Sequence, residues 1–224
     1  PTNATLATVV KATGTIEDEP GEKPVTAIVV SEEGLSGGIA DTQGTSDTTN
    51  AASNSSTVAM SAAVTELVGP TGVTSGGLAV TWTWDGTTKT LTGSTSAGDV
   101  MTVKVTAYDP LTGSTIQATI LKSIDHPNTA AEDTLDLSFT IKAGTLESDL
   151  TVTVEDDMPT VTAPNIAPAP TLTVDETNLA NNASASFASL FTVGYGADGA
   201  GSTAYTLAVA NSASGLVDVA TGEA

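Results

Sequence analysis

"TLDLSFTIKAGTLESDLTVTVEDDMP", residues 134–159, reads as two alternating runs joined by a short hairpin and closed by three acids ahead of a proline. Leu135, Leu137, Phe139 and Ile141 recur at every second position, as do Leu150, Val152 and Val154. Period two puts one set of side chains on one face of a strand, so both runs predict half-buried strands with these residues inward. Glu155, Asp156 and Asp157 then stack three like charges side by side, where they repel one another. The layout occurs twice: "GTIEDEPGEKP", residues 14–24, places Glu17, Asp18 and Glu19 ahead of Pro20.

Working outward, the same signals recur. "LAVTWTWDGTTKTLTG", residues 78–93, is a hairpin with Asp85-Gly86 opening its turn and Leu78, Val80, Trp82 and Trp84 on one face. "DVMTVKVTAYDPLTG", residues 99–113, directs Met101, Val103, Val105 and Ala107 to the core and turns at Pro110. "STIQATILKSIDHP", residues 114–127, pairs back onto it. "VTAIVVSEEGL", residues 25–35, is a strand ending in Glu32 and Glu33; residues 36–56 carry no period and form a long loop; alternation resumes over 57–67. Short strands at regular spacing, broken by turns, predict an all-β fold of β-sandwich type.

This assigns residues 21–158 to one complete β-sandwich repeat, residues 1–20 to the last strand of a preceding one or an added strand, and residues 159–224 to the start of a second. The proline-bearing stretch from 159 predicts a stiff, extended linker. "TLTVDETNL" at 171–179 answers "TAIVVSEEGL" at 26–35: strand, adjacent acid pair (Asp175, Glu176), then leucine. Further strands are expected near 187–193 and 203–209. So short a unit implies one that is truncated or completed by other chain.

Composition narrows the function. Threonine is the commonest residue, and with valine it favours strands; only 4% of the chain is aromatic. The net charge is −20, from 26 acids against 6 lysines, with no arginine. That argues against nucleic acid, whose phosphates require Lys and Arg, and against anionic membrane surfaces. Such self-repulsion destabilises a compact state unless salt screens it or bound divalent cations neutralise it. Cysteine is absent, which removes disulfides and thiolate metal sites. No run of ~18 apolar residues predicts a membrane helix. The first residues lack a secretion signal, so an exported parent chain would carry one elsewhere.

The repeated unit of acid cluster, proline, extended linker, strand and acid pair supplies the oxygen donors that Ca²⁺ takes, 6–8 at about 2.3–2.6 Å. The candidate ligands are Glu17, Asp18, Glu19, Glu32, Glu33, Glu155, Asp156, Asp157, Asp175 and Glu176. The plainer alternative is a solvated acidic linker. Asp109 in "AYDPLTG" and Asp125 in "SIDHP" are further candidates, with ordinary turn chemistry weighing equally. Asp41, Asp47 and Asp198 are weaker. There is no EF-hand loop and no calcium β-roll repeat. His126 is the only histidine; Asp125 beside it points the other way on a strand, so a structural role outweighs catalysis. Trp82 and Trp84 read as core packing rather than a sugar platform.

"TLTGSTSAGDVMTVKVTAYDPLTGSTIQATILKSIDHP", "EDTLDLSFTI" and "LTVTVEDDMPTV", with "LTVDETNLANNASASFASLFTVGYGADGAGSTAYTLAV" after them, resemble repeat domains of giant bacterial RTX adhesins exported by type I secretion. The opening residues, to "ATGTIEDEP", resemble more distantly the end of a Calx-β-like repeat. The resemblance implies tandem Ig-like or cadherin-like domains joined by acidic, Ca²⁺-binding linkers, on the bacterial cell surface. It implies no catalysis, and a monomer whose partners are neighbouring domains of the same adhesin. Contact with a host or biofilm ligand would be indirect. The chain departs from the family at "IKAGTLESDLTV", where Glu147 and Asp149 stand in place of an acid- and glycine-containing hairpin. The alternative is a split scaffold that hosts or forms a peptide- or glycan-binding module.

Overall fold

Alternating apolar residues and glycine-bearing turns become strands almost wherever the pattern is sustained. A computed structural model describes residues 25–40, 53–60, 63–109, 113–127, 132–163, 170–174, 177–178, 180, 182–206, 208, 215 and 220–221. Its strands are β1 (Val25–Ser31), β2 (Ser55–Met60), β3 (Glu66–Val68), β4 (Thr74–Ser75), β5 (Leu78–Ala79), β6 (Thr81–Asp85) and β7 (Thr90–Thr95). They continue with β8 (Gly98–Asp109), β9 (Gly113–Ile120), β10 (Thr134–Ala143), β11 (Leu146–Glu155), β12 (Thr160–Thr162) and β13 (Thr192–Gly194). Two 3₁₀ turns, Glu32–Gly34 and Ala188–Leu190, are the helical elements among the described residues. The chain is all-β.

Two sheets enclose one core. The four-stranded sheet has the order β1-β11-β10-β3, and the five-stranded sheet β2-β9-β8-β7-β6. Ile28, Leu137, Phe139, Leu150 and Val152 face Leu91, Val103, Ile116, Ala118 and Ile120, all buried. These include most of the alternating positions read from the sequence; Ala107, beyond a register shift that follows Val105, and Leu78, in the separate β4–β5 pair, are exposed instead. Burial of aliphatic side chains at ~25 cal/mol per Å² is the main favourable term in such a fold.

Trp82 fixes the contact between the sheets at one point. Its ring meets Phe139 edge-on, with centroids 5.0 Å apart and planes at 83°. The indole lies against two glycines: a methyl on Gly69 would come within 2.2 Å of the ring, and one on Gly93 within 2.6 Å. Glycine is needed there for space.

Several expectations change. The single run over 57–67 divides between sheets: β2 pairs with β9 in one and β3 with β10 in the other. Residues 160–162, expected in a stiff linker, form β12 and pair antiparallel with β13. Residues 171–174 form no strand, and Leu172 and Val174 are exposed. The analogous β1 is held by pairing along its whole length with β11, and among the described residues 171–174 has no such partner. Residues 203–206 are likewise not a strand, and a 3₁₀ turn occupies Ala188–Leu190 before the short β13. Residues 1–24, with Glu17, Asp18 and Glu19, and residues 175–176 lie outside the described residues.

Gly93→Ala should lower stability by about 1–3 kcal/mol, because the added methyl has no room beside the indole. The urea midpoint, followed by tryptophan fluorescence, checks this; an unchanged midpoint would mean the ring moves aside freely.

Candidate metal centre

Parallel pairing of β1 with β11 carries two distant acid groups to one pole of the structure. Ser31 stands opposite Glu155 in that ladder, and Thr134 stands opposite Glu155 on the other side. The chain therefore leaves β1 and β11 side by side and in the same direction. After β1 it tightens at once into a 3₁₀ turn. Ser31 caps that turn, its Oγ accepting from the Glu33 amide at 3.2 Å. The turn brings Glu32 and Glu33 inside, at 0% and 8% exposure. Glu155, Asp156 and Asp157 are equally sequestered, at 3%, 8% and 3%. Five carboxylates predicted from sequence thus share one pole, all buried.

Each acid has a distinct setting. One Glu32 oxygen, Oε1, accepts from the Ile124 amide at 2.7 Å, while Oε2 is buried with no hydrogen-bond partner. Asp156 accepts from the Asp157 amide at 2.9 Å, and its own amide donates to the Asp133 carbonyl at 3.0 Å. Asp157 is a clasp between three segments. The Ile39 amide reaches both of its oxygens, at 3.1 and 3.2 Å, and the Ala197 amide donates to Oδ2 at 2.6 Å. Gly196 makes this approach possible: it has φ +75°, and a Cβ there would lie 2.8 Å from Asp157 Oδ2.

The electrostatics follow from burial. The Glu32 carboxyl is pushed from 4.5 up to about 9, chiefly because burial disfavours its charged form. The Ile124 amide opposes that shift, and the charges of Asp198, Asp156 and Asp157 add to it. Asp156 is also raised, again mainly by burial, against the pull of His126. Buried like charges are expensive unless a cation or a proton neutralises them. A cavity of about 690 Å³ opens beside the group, lined in part by Asp125, His126, Asp156, Asp157, Tyr195 and Asp198.

Two candidates stand apart from the cluster. Asp109 ends β8 opposite Gly113, at the far end of the β8–β9 hairpin from Met101 and Ile120. That is roughly 25 Å away at ~3.3 Å per residue, so Asp109 does not join this pole. Asp125 reaches the cavity rim, yet its oxygens accept from the Gly76 amide at 2.7 Å and the Gly77 amide at 2.9 Å. It braces the turn between β4 and β5, where both glycines have positive φ. Its carboxyl lies below its usual range: burial raises it, but hydrogen bonds from Thr74, Gly77 and Gly76 outweigh that.

Three residues at the pole were given little or no weight in the sequence reading. His126 is inserted among the acids, with Nδ1 2.6 Å from Asp133 Oδ1 and Nε2 3.8 Å from Glu32 Oε1. Asp198 arrives from the segment after β13. No local spacing announces these contacts. The only signal was that a lone histidine sat next to two acid-bearing turns.

The family described as Domain of unknown function (DUF5801) matches residues 171–224. No curated protein and no solved structure matches the chain.

Two outcomes follow from this geometry. Glu32 has a folded-state pKa above its unfolded one, so its contribution is intact below about pH 4.5 and is lost as pH rises toward 9. With metal chelated, the urea midpoint should fall between pH 5 and pH 9, and Glu32→Gln should flatten that slope. Asp157→Ala should lower stability by about 1–3 kcal/mol, since half-buried amides from two other segments lose their acceptor. Faster hydrogen exchange at Ile39 and Ala197 would report the loss directly.

Proposed function

We propose that the chain is a non-catalytic extender region of a large secreted bacterial adhesin, built of Ig-like domains whose junctions are stiffened by Ca²⁺. The observation that carries this reading is the buried convergence of Glu32 and Glu33 with Glu155, Asp156 and Asp157. Acids from the two ends of one unit meet there, and the segment bearing Asp198 packs against them.

The donor set fits the ion. Ca²⁺ takes oxygen ligands, with carboxylates, carbonyls and water interchangeable among them. Glu32, Glu33, Glu155 and Asp156 would hold it, with Asp198 at the cavity side. The buried, unpartnered Glu32 Oε2 is the kind of orphan acceptor that a cation satisfies. Asp157 already accepts from two backbone amides, that of Ile39 shared between both oxygens and that of Ala197 at Oδ2, so its main task is to hold the flanking loops. The ion supplies positive charge where like charges otherwise repel. The protein supplies burial and the clasp that couples the site to the following segment.

Function follows from stiffness in this reading. A junction neutralised by Ca²⁺ resists bending and projects distal binding domains away from the bacterial surface, with neighbouring domains of the same monomer as the partners. The resemblance of residues 78–224 to RTX adhesin repeats supports the extracellular setting and type I export.

Titration of the chelated protein with Ca²⁺ should give saturable heat. At a free concentration of 100 times Kd it should add about 2.7 kcal/mol of stability. That is a rise in Tm of roughly 5–10 °C for a domain of this size. Asp156→Asn should weaken binding and leave a less extended particle in small-angle scattering. Absence of both heat and thermal shift in the parent protein would overturn the reading.

A further inference from the structure

His126 is difficult to account for as a ligand to a hard, oxygen-seeking ion, yet its ring lies between Asp133 and Glu32. Its side chain is 3% exposed. Nδ1 stands 2.6 Å from Asp133 Oδ1, a short hydrogen bond between imidazole and carboxylate. When Nδ1 donates to that carboxylate, the neutral imidazole keeps its lone pair on Nε2. Nε2 is buried and has no hydrogen-bond partner. It faces Glu32 Oε1 across 3.8 Å, too far for a hydrogen bond. Two ligand atoms bound to one ion at ~2.1 Å stand roughly 3–4 Å apart. His126, Asp133 and Asp156 each offer an atom within 4.8 Å of the others. Glu32 lies outside that group of three, beside the imidazole, and its Oε2 is buried without a hydrogen-bond partner.

We propose that this pole binds a borderline divalent transition metal, of the Zn²⁺ class, through His126 Nε2 with Asp156, beside Glu32, while Asp133 orients the imidazole. Imidazole nitrogen suits such ions and adds little for Ca²⁺. A carboxylate holding the far nitrogen of a metal-bound histidine is the usual outer-shell arrangement, since it fixes the tautomer and raises ligand basicity. Asp133 therefore acts as a positioning residue and His126 as the ligand that discriminates between ions. The proposal shares Asp156 with the Ca²⁺ reading but does not depend on it.

The test uses the full chain, stripped with chelator and titrated separately with Zn²⁺ and with Ca²⁺. Because His126 is the only histidine, its ring nitrogens are assigned without ambiguity in a ¹⁵N–¹H spectrum. Zn²⁺ should produce saturable heat and a coordination shift at Nε2, with Nδ1 remaining protonated. His126→Gln should abolish that binding and leave the Ca²⁺ isotherm within about threefold. Asp133→Asn should weaken Zn²⁺ by about 10–100-fold through loss of orientation. Zn²⁺ binding that persists in His126→Gln, or a Zn²⁺ titration without heat or Nε2 shift, overturns the proposal. A silent Ca²⁺ titration beside a positive Zn²⁺ one removes the Ca²⁺ reading alone, and the reverse result removes this one alone.

Discussion

The parallel ladder between β1 and β11 is the constraint on which the rest of the structure depends. It joins Val25–Ser31 to Asp149–Glu155 residue by residue. Parallel strands leave a sheet in the same direction at the same end, which antiparallel neighbours do not. The acids that follow each strand are therefore delivered to one place. Had β1 paired antiparallel with β11, Glu32 and Glu155 would lie at opposite ends of the sheet and no cluster would exist.

Burial then turns a charge pattern into a site. Exposed, the five carboxylates would be screened by water and salt, as acidic linkers ordinarily are. Enclosed between the 3₁₀ turn after β1, the loop carrying Ile124 and His126, and the segment after β13, they carry an unfavourable self-energy. Asp157 pins that enclosure through backbone amides of two other segments. The same contacts make the pole costly unless a cation or a proton neutralises it.

Much of the fold was legible because its strands follow a local rule. Leu137, Phe139, Ile141, Leu150, Val152 and Val154 were predicted inward by period two, and all are buried. The reading failed where pairing, rather than periodicity, decides. Thr171–Val174 has the composition of β1 but no strand beside it among the described residues, and it remains exposed coil. Residues 160–162 look like linker but find β13. Glu155, Asp156 and Asp157 were legible as a group, since three adjacent carboxylates demand compensation; their meeting with Glu32 and Glu33 of the same unit was not. Nor was the histidine of the cluster.

The sequence by itself determined the all-β class, the inward face of most core strands, the absence of thiol chemistry and the need to neutralise Glu155, Asp156 and Asp157. Each depends on residue type and near-neighbour spacing. Only the tertiary structure decided that Glu32 and Glu33 share a pole with those acids, that Asp109 lies at the far end, and that Asp125 braces a turn. It also placed His126 between Asp133 and Glu32. These are contacts between residues far apart in the chain. They are set by strand order and direction, which residue periodicity along a single strand does not encode.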